Sequence, residues 1–133
     1  MQVNIRGYSV KRDMDLIRDI LILINDDPKY NGTKEFALDT PEELGIKDHS
    51  TEEVAYHLGL LIEAGFVDGA VTRILPMQIF RRLTWNGHEF LGSITDPGIW
   101  AKTKDRLVGL PAVTLSVVAE LAKAELKKHL GLP

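Results

Sequence analysis

Cysteine is absent from the 133-residue chain, which excludes a disulfide framework, thiol catalysis and any zinc site built on thiolates. A basic excess is missing as well: 16 Lys and Arg stand against 19 Asp and Glu, a formal net charge of −3, unlike a nucleic-acid coat or histone-like protein. The most apolar stretch, Leu16 to Ile24, is broken by Arg18 and Asp19 and falls short of the ~20 residues a membrane span requires. Met1 to Val10 lacks the basic start and apolar core of a secretion signal. A cytoplasmic chain with no membrane partner is expected.

Chemistry-bearing patterns are equally scarce. Neither G-x-x-x-x-G-K-[ST] nor G-x-G-x-x-G occurs, and the serines at 9, 50, 93 and 116 form no G-x-S-x-G elbow. His49, His57, His88 and His129 are scattered singly, and His88-Glu89 has no second histidine four residues on, so the zinc-protease motif is absent. Each histidine reads as a satisfied or half-exposed side chain. Asp13-Met14-Asp15 is explained by helix capping and the macrodipole rather than by a cation. Tyr56 and His57 point 100° apart as neighbours on a helix, with no third group for acid–base work. The chain is expected to be non-catalytic, with no metal and no cofactor.

What is present is a globular pattern: 44% apolar and 26% charged residues in a length able to bury about two-thirds of its unfolded surface. Met14, Ile17, Ile20, Leu21 and Ile24 share a helical face after an Asp13 cap, and Asp26-Asp27-Pro28 stops that helix. Asn31-Gly32 predicts a turn, Thr33 to Leu38 a short strand, and Pro41 to Leu44 one helical turn. Ser50 with Glu53 forms a capping box for a helix over Thr51 to Ala64, ended by Gly65. Phe66 to Ile74 and Ile79 to Leu83 predict a hairpin joined through Leu75 to Gln78, with Asp68-Gly69 as the alternative turn. Thr84 caps a helix to about Ser93 with Trp85, His88 and Leu91 on one side. Asp96-Pro97 starts another, to about Leu107. The segment Pro111 to Leu130 carries a stripe of Leu115, Val118, Ala119, Ala122, Leu126 and Leu130, with Val113 and Val117 nearly opposite. Trp85 and Trp100 are expected to be core anchors.

A capped helix feeding a hairpin through E-A-G-F-V is the pattern of a winged helix. The expected fold is mostly α with a small β-hairpin wing, a winged helix-turn-helix-like domain over 11–95. Additional C-terminal helices over 96–133 would pack on it or form a dimer interface. Three blocks, K-R-D-M-D-L-I-R from Lys11, Y-H-L-x-L-L-x-E-A-G from Tyr56 and L-T-W-x-G-H-E-F-L from Leu83, together resemble a family of small bacterial and phage proteins, a domain of unknown function. That resemblance implies a winged-helix-like architecture and a bacterial or prophage setting, and names no catalytic residue.

Most winged helices place one helix in the DNA major groove. Here the side of the Ser50-capped helix opposite Val54, Leu58 and Leu61 carries Glu52, Tyr56, Gly59 and Glu63, and residues 26–63 hold ten acids and three bases. Such a surface repels phosphate. Duplex contact would then rest on Arg73, Arg81 and Arg82 in the wing and on the basic C-terminal third, Lys102, Lys104, Arg106, Lys123, Lys127 and Lys128. Charged edge strands also simply discourage aggregation. Two functions follow: a regulator that contacts DNA through wing and C-terminal lysines, with a homodimer through the C-terminal helix; or an adaptor whose Glu52, Tyr56 and Glu63 dock a basic protein partner.

Overall fold

A computed structural model describes residues 2–5, 8–38, 45–72, 78–110 and 113–133, with 2–5 and 8–11 described by their backbone. In chain order the elements are β1 (Gln2–Ile5), β2 (Tyr8–Lys11), α1 (Met14–Asp26), β3 (Phe36–Ala37), α2 (Thr51–Glu63), β4 (Val67–Ala70), β5 (Ile79–Leu83), α3 (Trp85–Ile94), α4 (Pro97–Asp105) and α5 (Leu115–His129). The molecule is mostly helical, with an antiparallel three-stranded sheet ordered β3-β5-β4 and a separate β1–β2 hairpin. Among the described residues no helix is long and apolar enough to cross a membrane.

Local side-chain chemistry starts α1 to α4 where the sequence predicts, whereas α5 starts at Leu115 behind a Thr114 cap rather than in the stretch from Pro111. The Asp13 carboxylate accepts from the amides of Asp15 and Leu16. Ser50 and Glu53 complete a reciprocal capping box. Thr84 accepts from Gly87 N–H, and Asp96 from Gly98 and Ile99 N–H ahead of a proline in the first turn. Each such cap satisfies amides that the helix itself leaves unpaired, at about 1 kcal/mol per cap. Gly65, at φ +82°, ends α2 in the left-handed conformation that glycine adopts without strain.

One core joins these elements. Leu16, Ile17, Ile20, Leu21 and Ile24 of α1 meet Val54, Leu58 and Leu61 of α2, Phe80 and Leu83 of β5, Phe90 and Ile94 of α3, and Leu115, Val118 and Ala122 of α5. Tyr30 packs edge-on to Phe36 at 4.9 Å between ring centroids and lies 5.0 Å from Phe80, clamping the outer strand to the sheet.

Several expectations need correction. The strand over Thr33 to Leu38 shrinks to Phe36–Ala37, and β4 ends at Ala70 rather than Ile74. Asp68-Gly69 is a bulge within the ladder, not a turn. A side chain at Gly69 would place its Cβ 2.2 Å from the Ile79 carbonyl oxygen, which explains glycine there. The hairpin of β1 and β2 adds two strands ahead of α1 to the expected elements. The helical turn over 41–44 and most of the wing connection, 73–77, lie outside the described residues. The inward face of α3 is Gly87, Phe90, Leu91 and Ile94, whereas Trp85 is 76% exposed and His88 is exposed. Trp100 does anchor, at 4% exposure. On α5 the stripe runs out before Leu130, which is exposed.

The phase of α3 follows from Gly87. A Cβ there would lie 2.0 Å from the Phe66 carbonyl oxygen, so backbone meets backbone where α3 crosses the α2–β4 junction. Gly87→Ala is expected to lower stability by about 3 kcal/mol in urea denaturation. Gly92→Ala in the same helix, with open space around it, is expected to be neutral or to gain up to about 1 kcal/mol. Equal effects of the two substitutions would refute the close approach.

Candidate interaction surface

The outer side of α2 is the surface the sequence singles out. Glu52 and Glu63 are exposed, Tyr56 is half-buried with its ring edge-on to His57 at 5.4 Å, and no Lys or Arg occurs along α2. Neither glutamate has an ion-pair partner among the described residues. Gly59 does not belong to this face. It is buried under the Gln78 side chain, whose Nε2 donates to the Ala55 carbonyl while its Oε1 accepts from Thr72 N–H. That amide pins the base of the β4–β5 hairpin to α2.

The basic candidates are dispersed. Arg73 lies outside the described residues. Arg81 donates through Nε and Nη2 to Asp68 Oδ2 at 3.2 and 2.9 Å, so a strand neighbour offsets its charge. Arg82 turns back, donating from Nη1 to the Leu83 carbonyl, with its aliphatic stem over Gly32. On α5, Lys123 pairs with Glu120 and Lys128 with Glu125, which Arg106 also approaches at 3.4 Å. Lys127 is exposed. α5 packs against α3 and α4 while β5 is hydrogen-bonded to β3 and β4, so the two basic groups stand on different elements.

Behind α2 lies a junction that sequence reasoning missed. His57 is 1% exposed, and its Nε2 accepts from the Asp13 amide at 2.7 Å. Since that amide can only donate, Nε2 carries no proton, and Nδ1–H donates to the Glu53 carbonyl at 2.7 Å. Burial holds the imidazole pKa below its ordinary 6.5. The rest of the K-R-D-M-D-L-I-R block radiates from the same place. Asp15 Oδ1 accepts from both Lys104 Nζ and Trp100 Nε1 at 2.8 Å, and the Lys104 hydrogen bond is the main cause of a lowered Asp15 pKa. Arg18 donates to the carbonyls of Ile94 and Thr95, closing the end of α3. Arg12 donates from Nη1 to the Val113 carbonyl.

In front of this junction is a groove of about 510 Å³ lined by Arg12, Asp13, Met14, Asp15, Glu53, Lys104, Leu107 and Val108. Among the described residues no group of three or more His, Asp or Glu is arranged to hold a metal ion.

The buried histidine makes a pH prediction. Its unfolded pKa is 6.5 and its folded pKa is lower, so the unfolded chain binds more protons as pH falls. The contribution is fully present above pH 6.5 and is lost progressively below it. Urea denaturation between pH 7.5 and 5 should show that decline. His57→Ala should cost about 2 kcal/mol at pH 7.5 and flatten the slope, and an unchanged slope in the variant would contradict the assignment.

The comparisons with known proteins bear on the same segments. A family model described as "Hypothetical protein (DUF2513)" matches residues 11–111, from the end of β2 to beyond α4. A relative in Haemophilus influenzae, described as "Uncharacterized protein", is 32% identical over 97 residues, covering 71% of this chain and 76% of the relative. No solved structure matches. With the junction block, the capped α2, the sheet and α3 all inside the matched span, the chain belongs to the DUF2513 hypothetical-protein family.

Proposed function

We propose that the chain is a winged-helix interaction module, non-catalytic, that docks a basic protein partner through the outer face of α2. The winged-helix reading is supported by the sequence of elements, helix, strand, helix and hairpin, with the first strand of the sheet pairing the last in the order β3-β5-β4. In that arrangement α2 takes the place of the DNA-reading helix and β4–β5 that of the wing.

The observation that carries the functional half is electrostatic. Where a DNA-reading helix would meet phosphates, α2 offers Glu52 and Glu63 with no cation, and the wing's Arg81 is engaged by Asp68. Carboxylates facing the duplex forgo the counterion release that drives such binding. The same surface favours lysine- and arginine-rich protein. A second reading has its own support: Lys102, Lys128 and His129 line one recess with Asp105 and Glu125, and Lys127 stands exposed beside them. Duplex contact through that end of α5 is the competing function.

Fluorescence anisotropy separates the two. The unmodified chain is expected to give no saturable, salt-dependent rise with a mixed-sequence duplex at about 10 µM protein, and to bind a labelled hexalysine peptide. Glu52→Lys with Glu63→Lys should weaken the peptide by about tenfold or more and create duplex binding. Micromolar duplex binding by the unmodified chain, abolished by Lys127→Ala and Lys128→Ala, would overturn this reading in favour of the α5 contact.

A further inference from the structure

We infer that the outward line of α3 is a self-complementary contact that pairs two copies of this chain antiparallel, with Trp85 of each copy seated over the partner's Gly92. The inference goes beyond the α2 reading and does not depend on it, since Glu52, Tyr56 and Glu63 take no part.

Two residues of α3 are unexplained by the packing of a single copy. Trp85 is 76% exposed, although a ring of that size gains much from burial. Gly92 lies inside the helix, where glycine costs stability relative to alanine. A Cβ there would meet no atom of the described residues within 4 Å. At Gly87 backbone contact demands glycine; at Gly92 no such contact does. The two positions are two helical turns apart, about 10.5 Å of rise, and at 100° per residue they face the same way. On the line between them stand His88 and Glu89, both exposed and without an ion-pair partner among the described residues.

That line is its own complement. A second α3, turned end for end about a two-fold axis between His88 and Glu89, brings position 85 against 92 and 88 against 89, each twice. Each indole then meets backbone without a Cβ, so large faces small and the helices can approach closely. Each imidazole carries a ring N–H in either protonation state and meets a carboxylate. This is the isologous arrangement, in which i contacts j and j contacts i. A parallel pair would set indole on indole, leave a void between the glycines and oppose Glu89 with Glu89. An unrelated molecule covering Trp85 would leave Gly92 without a reason. A second copy accounts for both residues at once. The outward line of one 10-residue helix is a small interface, so dissociation is expected on the order of 10–100 µM.

The test is sedimentation equilibrium of the full chain from about 1 to 300 µM, with the variants Trp85→Ala and Gly92→Gln. Both positions are exposed and glutamine is a good helix former, so each variant should fold. The unmodified chain is expected to dimerise reversibly, and each substitution to weaken the dimer about tenfold or more. An equal mixture of the two variants should associate more tightly than either alone, because one indole again meets an intact glycine while the other crossing sets alanine against glutamine. Tryptophan emission should shift to the blue with concentration in the unmodified chain and not in Trp85→Ala. A monomer throughout that range, a dimer indifferent to Trp85→Ala, or no recovery on mixing would each overturn the inference. A dimer lost only on Val117→Asp would place the contact on α5 and overturn it as well.

Discussion

The hydrogen bond from the Asp13 amide to His57 Nε2 is the constraint around which the rest of the chain is arranged. It ties the first turn of α1 to the middle of α2 across 44 positions of sequence, and it does so at a buried imidazole, where an unpaired ring nitrogen would cost about 1–3 kcal/mol. With that end of α1 placed, Asp15 reaches Trp100 and Lys104 on α4, and Arg18 reaches the last carbonyls of α3. A single six-residue stretch, Asp13 to Arg18, thus orients three other helices. Apolar burial supplies most of the stabilisation; these directional bonds select one packing among those the apolar faces would accept.

That arrangement also decides what is left outside. His57 faces inward, and Glu52 and Glu63 are exposed on α2 with no ion-pair partner among the described residues. Gln78 covers Gly59 and ties the β4–β5 hairpin to α2, and Asp68 engages Arg81. On the proposed winged-helix reading, the surface that would be cationic in a DNA-binding domain is acidic or internally neutralised. The protein-docking reading rests on that inversion of charge.

Features governed by neighbouring residues were legible in the sequence. The caps at Asp13, Ser50, Thr84 and Asp96 are local chemistry, and the buried stripe of α1 follows from its 3.6-residue period. Features governed by distant backbone were not. Hydrophobicity favours Trp85 over Gly87 for the inner face of α3, yet only a residue without Cβ fits against the Phe66 carbonyl, and this rotates Trp85 into solvent. Gly59 has no side chain to vote with, so its burial depends on Gln78, 19 residues on. Alternation at Val3, Ile5, Tyr8 and Val10 is a hairpin signal carried by neighbouring residues alone. For the candidate surface, residue types and charge were legible. The offset of Arg81 by Asp68, and the assembly of the groove from α1, α2 and α4, required the fold.

The most direct test of this account is the protonation of His57, read from long-range ¹H–¹⁵N correlations of the imidazole across a pH titration. The account predicts a neutral ring with the proton on Nδ1 and an unprotonated, hydrogen-bond-accepting Nε2, titrating below the ordinary 6.5. A ring protonated on Nε2, or one titrating above 6.5, would contradict it, because the Asp13 amide would then have no acceptor and the α1–α2 junction could not be as described.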